Sequence, residues 1–377
     1  MTFTCHDIIN KYYYDYLQTA VVTTEEFDEL LFLLDKILTL ATGGCTEGLR
    51  ETLLEILGHK IQDNIRDHDL NTGALSKLKE LRSRELSGEQ GSAMWLLGRH
   101  SYITASVSAM AAGLMGPKSR ENLLLEKASN GGFRSFIGGY YTDIGNIFEP
   151  VTNNYYSIKN YTIIHDYALI PYNGDKYEFL GASTDGVTKE LTNIEIKTLP
   201  GRVPDGKVKK LYYHQMQHQM FCLGLKTTDF VEVKYKEHAT AQGAQETGKP
   251  YGAIAELYDI HGQSYEYEYS PCITGKHASS GGGLDNWIKC RDDIYRDWDD
   301  KILARYIYWS LDIYSLIVVK KDPKWIETMG PLLKQFWDEV LELRGNKNKL
   351  AAILRDRDKA AYKKKTKGNV LFQKCLL

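Results

Sequence analysis

Asp185-Gly186 is followed, ten residues after the aspartate, by Glu195-Ile196-Lys197. Side chains alternate faces along a strand, so Glu195 and Lys197 share one face while Ile194 and Ile196 turn to the other, into apolar packing. Gly186 permits a turn after Asp185, and the strand–turn–strand between them is long enough to return Glu195 beside Asp185. Two carboxylates brought that close repel each other unless a cation lies between them, and hard oxygen donors suit Mg²⁺ or Mn²⁺. A lysine beside such an ion can position and deprotonate a water, while the ion stabilises the charge that develops in phosphodiester cleavage. A Glu-x-Lys pair is also an ordinary solvated strand face, and Glu232-Val233-Lys234 repeats it. The Asp-Gly ahead of the first pair is what sets it apart.

The elements that must hold these residues are predicted as strands at 161–170, 177–183 and 191–198, rich in Ile, Tyr, Thr and Leu. A helix over 208–225 follows, with Met216, Met220 and Leu223 on its apolar side, and then a strand at 230–235. Short helices are expected around 94–97, 105–114, 120–128 and 141–156. This alternation predicts a mixed α/β core. Upstream, residues 24–42 and 46–66 read as amphipathic helices separated by Gly43-Gly44, and 67–91 as a polar, partly helical linker. Downstream, strands near 252–258 and 264–270 lie between loops at 239–251 and 277–283, and helices are expected at 284–318, 323–343 and 347–361. The expected organisation is a helical extension (1–90), a core (91–284) with a loop and strand insertion near 237–284, and a helical C-terminal region (285–377).

The 377 residues are 43 % hydrophobic and 25 % charged, ordinary globular usage that excludes collagen-like, low-complexity and wholly disordered chains. With a net charge of −2, any nucleic-acid partner must be held by local charge. Lys207, Lys209 and Lys210 open the helix leading to Gln215, and residues 345–377 carry ten Lys/Arg against two Asp, including Lys363, Lys364, Lys365 and Lys367. That tail reads equally as a phosphate-binding arm or a solvated face, and also suits a nuclear localisation signal. Six scattered cysteines without a CxxC pair indicate a reducing compartment. No signal-peptide pattern or membrane-length apolar run is present, so the expectation is a soluble intracellular protein without a membrane partner. His214 and His218 stand at zinc-pair spacing, but no glutamate occupies the HExxH position and no third ligand is indicated.

Ser183-Thr184-Asp185-Gly186 with Glu195-Ile196-Lys197 resembles the Ser-Pro-Asp-Gly…Glu-x-Lys core of the lambda-exonuclease/YqaJ viral-recombinase branch of the PD-(D/E)xK nucleases, with Thr184 in the proline position. Three more segments agree in order: Arg99-His-Ser-Tyr-Ile-Thr-Ala-Ser106, Gly145-Asn-Ile-Phe-Glu149, and Tyr212-Tyr-His-Gln215-Met-Gln217. The resemblance spans about residues 92–236 and implies a restriction-endonuclease-like α/β core, a mixed sheet flanked by helices. It implies that Arg99, Thr104 and Ser106 bind the 5′-phosphate of a DNA end, a role suited to a bidentate guanidinium and a helix N-terminus. It also implies that Glu149, Asp185, Glu195 and the Ile196 carbonyl hold Mg²⁺ (or Mn²⁺), that Lys197 activates water, that Gln215 orients it, and that Tyr212 lines the site. The expected activity is Mg²⁺-dependent 5′→3′ digestion of double-stranded DNA ends in viral or phage-type recombination or genome processing. A single-strand annealing protein and a ring of identical chains are the further partners such a family implies. Two other readings stay open: an endonuclease on DNA or RNA, and a catalytically inactive DNA-binding or assembly protein.

Overall fold

The computed structural model describes residues 72–86, 98–133, 139–160, 162–274, 282–296, 298–357 and 359. The helices expected at 24–42, 46–66 and 94–97, and the lysine run from Lys363, lie outside the described residues. Helix α1 (Thr72–Arg84) falls in the segment read as a linker, yet it buries Leu78 and Leu81 and so belongs to the core. After it come β1 (Ile103–Thr104), a 3₁₀ turn, the short α2 (Ser108–Ala111), α3 (Pro117–Ala128) and the long α4 (Tyr140–Asn160). Strands β2 (Ile164–His165), β3 (Ile170–Pro171), β4 (Leu180–Ala182), β5 (Gly186–Thr188) and β6 (Thr192–Thr198) then precede helix α5 (Lys210–Leu223). The remainder is β7 (Thr227–His238), α6 (Ala241–Gln245), β8 (Tyr251–Asp259), β9 (Ser264–Tyr269), α7 (Gly282–Arg296), β10 (Lys301–Lys320) and α8 (Trp325–Gly345), with further helix over 347–357.

The principal sheet has seven strands in the order β2-β5-β6-β7-β10-β8-β9, and only the β6–β7 pair is parallel. A second sheet, β1-β4-β3, has three strands. Alternation along β6 and β7 gives the main sheet two chemically distinct faces. Ile194, Ile196, Val231 and Val233 pack with Tyr156 of α4, whereas Phe230 on the opposite face meets Met216, Met220 and Leu223 of α5. Helix α4 reads apolar at Ile144, Ile147, Phe148, Val151 and Tyr155, the i, i+3, i+4, i+7 spacing of a core-facing helix. The expected mixed α/β core, a mixed sheet flanked by helices, is present.

One expectation is corrected. Helix is expected across 284–318, but it ends at Arg296, and Lys301–Lys320 form the longest strand. The Tyr-, Ile- and Val-rich run from Ile302 to Val319 suits either periodicity over short windows. Its backbone is taken up by β7 on one side and β8 on the other, pairing that no local signal records. The C-terminal region is therefore not wholly helical, and the sheet continues through the boundary expected at 284.

Candidate functional site

Glu195 is the centre of a closed hydrogen-bond network. It is fully buried on β6, and Lys197, two residues along the same face, donates to Oε1. Gln215 Nε2 also donates to Oε1 (2.7 Å), while Gln219 Nε2 donates to Oε2 (2.6 Å) and to the Ser183 carbonyl (3.0 Å). Gln215 and Gln219 are one helical turn apart on α5, so a single helix face meets both oxygens. Asn193, next on the same strand face, donates to Gln219 Oε1 (3.1 Å) and to Thr228 Oγ1 (3.0 Å).

Asp185 lies between β4 and β5, and its Oδ2 accepts the Ile196 amide (2.6 Å). Thus Ile196 reaches the acidic side of the site through its backbone while its side chain enters the apolar core. Thr184, in the proline position of the expected motif, accepts the Gly186 amide (3.1 Å) and donates to Asn193 Oδ1 (2.6 Å), closing the turn with hydrogen bonds. Gly186 has φ +153°, and a Cβ there would stand 2.3 Å from Ile164, so this turn requires glycine. Asn153 of α4 donates to the Asp185 carbonyl (3.0 Å).

Glu149, also on α4, precedes Pro150, which cannot donate to the helix ladder. Burial, then the neighbouring Glu195 charge, raise the Glu149 carboxyl to about 7, partly opposed by Lys197. Burial also lifts Asp185 well above the usual carboxylate range, with Glu195 and Glu149 adding to the effect. For Lys197, burial opposes the charge, but Glu195 and Asp185 outweigh it and raise the pKa. Its ammonium lies 5.3 Å from the centre of the Tyr212 ring. The three carboxylates share one lysine, so the protonated form of Glu149 and Asp185 is favoured beyond its ordinary balance.

Among the described residues, no group of three or more His, Cys, Asp or Glu side chains that could hold a metal ion is assembled. Glu195 already accepts on both oxygens and Asp185 on one. Their remaining lone pairs, with Glu149 close enough to feel the Glu195 charge, form a sparse, hard donor set. That set suits an ion that keeps several waters and takes one or two carboxylates plus substrate phosphate, which is the habit of Mg²⁺.

Arg99 precedes β1, Thr104 ends it, and Ser106 is exposed on the 3₁₀ turn that follows. Burial lowers the Arg99 pKa while Glu126 supports its charge. The buried Thr104 hydroxyl has no hydrogen-bond partner. Lys207, Lys209 and Lys210 are exposed at the N-terminal end of α5, where the helix dipole adds to their positive field. Gln217, although part of the sequence motif, points elsewhere: it donates to the Lys320 carbonyl (2.9 Å) and accepts the Asp322 amide (2.7 Å).

His214 Nδ1 accepts the Trp325 indole N–H (3.0 Å), and His218 is completely buried beside the same ring. Sequence reasoning missed Gln219, Asn193 and the hydrogen-bonding role of Thr184. Gln219 carried a readable signal, since it is four residues from Gln215 on the same helix.

Residues 94–249 match the YqaJ-like viral recombinase domain. The matched segment covers 156 of the 377 residues, under half of the chain. It contains the acidic cluster, Lys197, both glutamines and Arg99, and it overlaps the 92–236 span of the sequence resemblance. Among curated proteins the chain is similar to the uncharacterized protein R354 of Acanthamoeba polyphaga mimivirus, at 24 % identity over 312 residues. That match covers 71 % of this chain and 55 % of the relative, so the chain spans about half the length of the curated relative it matches. Among solved structures it is similar to an alkaline exonuclease (LHK-Exo) from Laribacter hongkongensis, at 20 % identity and TM-score 0.42, covering 70 % of this chain and 100 % of that one. A phage-related exonuclease from Haemophilus somnus 129PT matches at 12 % identity and TM-score 0.37, covering 65 % and 96 %. Strands β8, β9 and β10 and helices α7 and α8 lie beyond the matched segment. Among the described residues no helix is long and apolar enough to cross a membrane.

Proposed function

We propose that this chain is a divalent-metal-dependent nuclease that degrades double-stranded DNA from its ends in the 5′→3′ direction, with Mg²⁺ as the working ion. The observation that carries the reading is the mutually repelling Glu149/Asp185/Glu195 set, Glu195 buried and the other two half-buried, with Lys197 held against it, in the segment similar to the YqaJ-like domain. Asp185, Glu195, Glu149 and the Ile196 carbonyl are the groups assigned to hold the ion. When bound, the ion supplies Lewis-acid stabilisation of phosphoryl charge and lowers the pKa of water.

The chain's own groups do the rest. Lys197 keeps its proton in the resting site because Glu195 and Asp185 favour the ammonium, so it orients a water by donation and shields the approaching phosphate. Gln215 and Gln219 hold the Glu195 carboxylate in one rotamer, and Gln215 turns its amide towards attacking water or the scissile phosphate. Arg99, Thr104 and Ser106 take the terminal 5′-phosphate. Lys207, Lys209 and Lys210 neutralise backbone phosphates. Recombination or genome processing, with a single-strand annealing partner and a ring-shaped homo-oligomer, is the setting this reading implies.

The test is digestion of end-labelled linear duplex with and without Mg²⁺, beside a covalently closed circle, using wild type and Lys197→Ala. Metal-dependent loss of 5′-terminal nucleotides from linear DNA alone, abolished in Lys197→Ala with binding retained, is the expected result. Cutting of the circle assigns an endonuclease. Unchanged turnover in Lys197→Ala refutes the site, and binding without any turnover leaves a DNA-binding protein.

A further inference from the structure

Helix α8 lies beyond the segment matched to the YqaJ-like domain, yet its last turn reaches the segment that carries Arg99. Arg344 Nη2 donates to the carbonyls of His100 (2.7 Å) and Lys127 (2.9 Å), and Nε donates to the Lys127 carbonyl (3.3 Å). Lys127, at the end of α3, is only 3 % exposed, and its ammonium donates to the carbonyls of Arg99 and Tyr102, the latter at 2.7 Å. The carbonyls of three residues in the 99–102 segment are therefore held by two buried or half-buried cations. Helix α8 is itself keyed to α3, since Arg120 forks onto Glu339 at 2.8 and 2.9 Å. Trp337 stacks on Phe179 and sits 5.3 Å from the Arg344 guanidinium.

The charge balance of this cluster is unusual. Arg99, Lys127 and Arg344 all act on His100, Arg99 and Arg344 act on Lys127, and Glu126 is the carboxylate that acts against them. Burial first, then Arg99 and Arg344, push the Lys127 ammonium down to about 7. Gathering cations out of water is unfavourable unless an anion joins them. With the 99, 100 and 102 carbonyls already occupied by donors, their oxygen dipoles are less able to repel an incoming anion. The unpartnered Thr104 hydroxyl lies two residues past Tyr102.

We propose that Lys127 and Arg344 are positioning residues that hold the Arg99 segment in shape for the 5′-phosphate of a duplex end, which makes α8 part of end recognition. This rests on the assignment of Arg99 to the terminal phosphate made above. A segment fixed in advance by charge-assisted bonds presents its guanidinium without an ordering cost at the moment of binding.

The experiment measures affinity of the full chain, in EDTA, for a short duplex bearing either a 5′-phosphate or a 5′-hydroxyl. The proteins are wild type, Arg99→Ala, Arg344→Gln, Arg344→Lys and Lys127→Met, each with a thermal melt. Wild type is expected to prefer the phosphorylated end roughly ten-fold, as one charge-assisted contact pair allows, and Arg99→Ala should abolish that preference. Arg344→Gln should lose most of it while binding the hydroxyl end as wild type does. Arg344→Lys should recover part of it, because an ammonium reaches one carbonyl but cannot fork. Lys127→Met should behave as Arg344→Gln; because Lys127 is buried and its loss endangers the fold, Arg344→Gln decides the outcome. Full preference in Arg344→Gln overturns the positioning role and leaves the Arg99 assignment standing. Equal weakening for both ends also overturns it, since that marks general damage. No preference in wild type overturns the Arg99 assignment itself.

Discussion

Replacing Glu149 with glutamine should stabilise the metal-free protein in alkaline solution and leave it almost unchanged in acid. The folded carboxyl titrates at about 7 against an ordinary 4.5, chiefly through burial and secondly through Glu195. A carboxyl whose folded pKa is raised binds its proton more tightly folded than unfolded. Its contribution is therefore favourable at low pH and is lost as pH rises from 4.5 through 7. At 1.36 kcal/mol per unit, holding ionised Glu149 in place costs about 3 kcal/mol at pH 8 and under about 1 kcal/mol at pH 5. Glutamine removes the charge at nearly constant shape. In EDTA, the melting temperature of Glu149→Gln should thus exceed that of wild type by several degrees at pH 8, and the gap should close at pH 5. Added Mg²⁺ should then stabilise wild type more than the variant, because the variant lacks one of the carboxylates that favour the ion. The reasoning fails if the shift is the same at both pH values, or if glutamine lowers the melting temperature at pH 8.

Three other outcomes follow from the same geometry. Gln219→Leu strips the donor from Glu195 Oε2 and the acceptor from Asn193, which should cost about 1–3 kcal/mol in urea unfolding and lower kcat more than it changes KM. Burial drives His218 from 6.5 to about 3, so the unfolded chain takes up its proton first and stability is lost as pH falls from 6.5 towards 3. Between pH 7.5 and 4.5 that site alone should cost about 2–3 kcal/mol, and His218→Met should flatten the measured profile by that amount. Changing Lys207, Lys209 and Lys210 together to Gln should reduce the slope of log affinity against log salt by about 0.9 for each phosphate no longer neutralised, with no change in sequence preference.

The Asp185/Glu195/Lys197 core is legible because the information is local. Strand alternation alone puts Glu195 and Lys197 on one face, and a glycine that no other residue can replace marks the turn beside Asp185. The apolar face of α5 is equally plain, since Met216, Met220 and Leu223 recur at helical spacing. The positions of Glu149 and Gln215 enter through motif resemblance, and the folded chain brings both to Glu195, one through its charge and the other through a hydrogen bond. Gln217 shows the limit of such matching. It sits in the motif but serves the end of β10, while Gln219, outside the matched pattern, holds the Glu195 carboxylate.

What stays hidden depends on partners far apart in sequence. Asn193 bonds to Thr228 because β6 and β7 run parallel in a register that places these residues side by side. The run from Ile302 to Val319 becomes a strand because β7 and β8 leave a slot whose unpaired amides and carbonyls it fills. Arg344 reaches the Arg99 segment across more than two hundred residues because Arg120 and Trp337 dock α8 there. Local periodicity sets which face a side chain takes, and so the acidic core can be read residue by residue. Pairing between distant segments satisfies hydrogen bonds that no nearby residue can meet, and it alone chose the strand over the helix and brought α8 to the site.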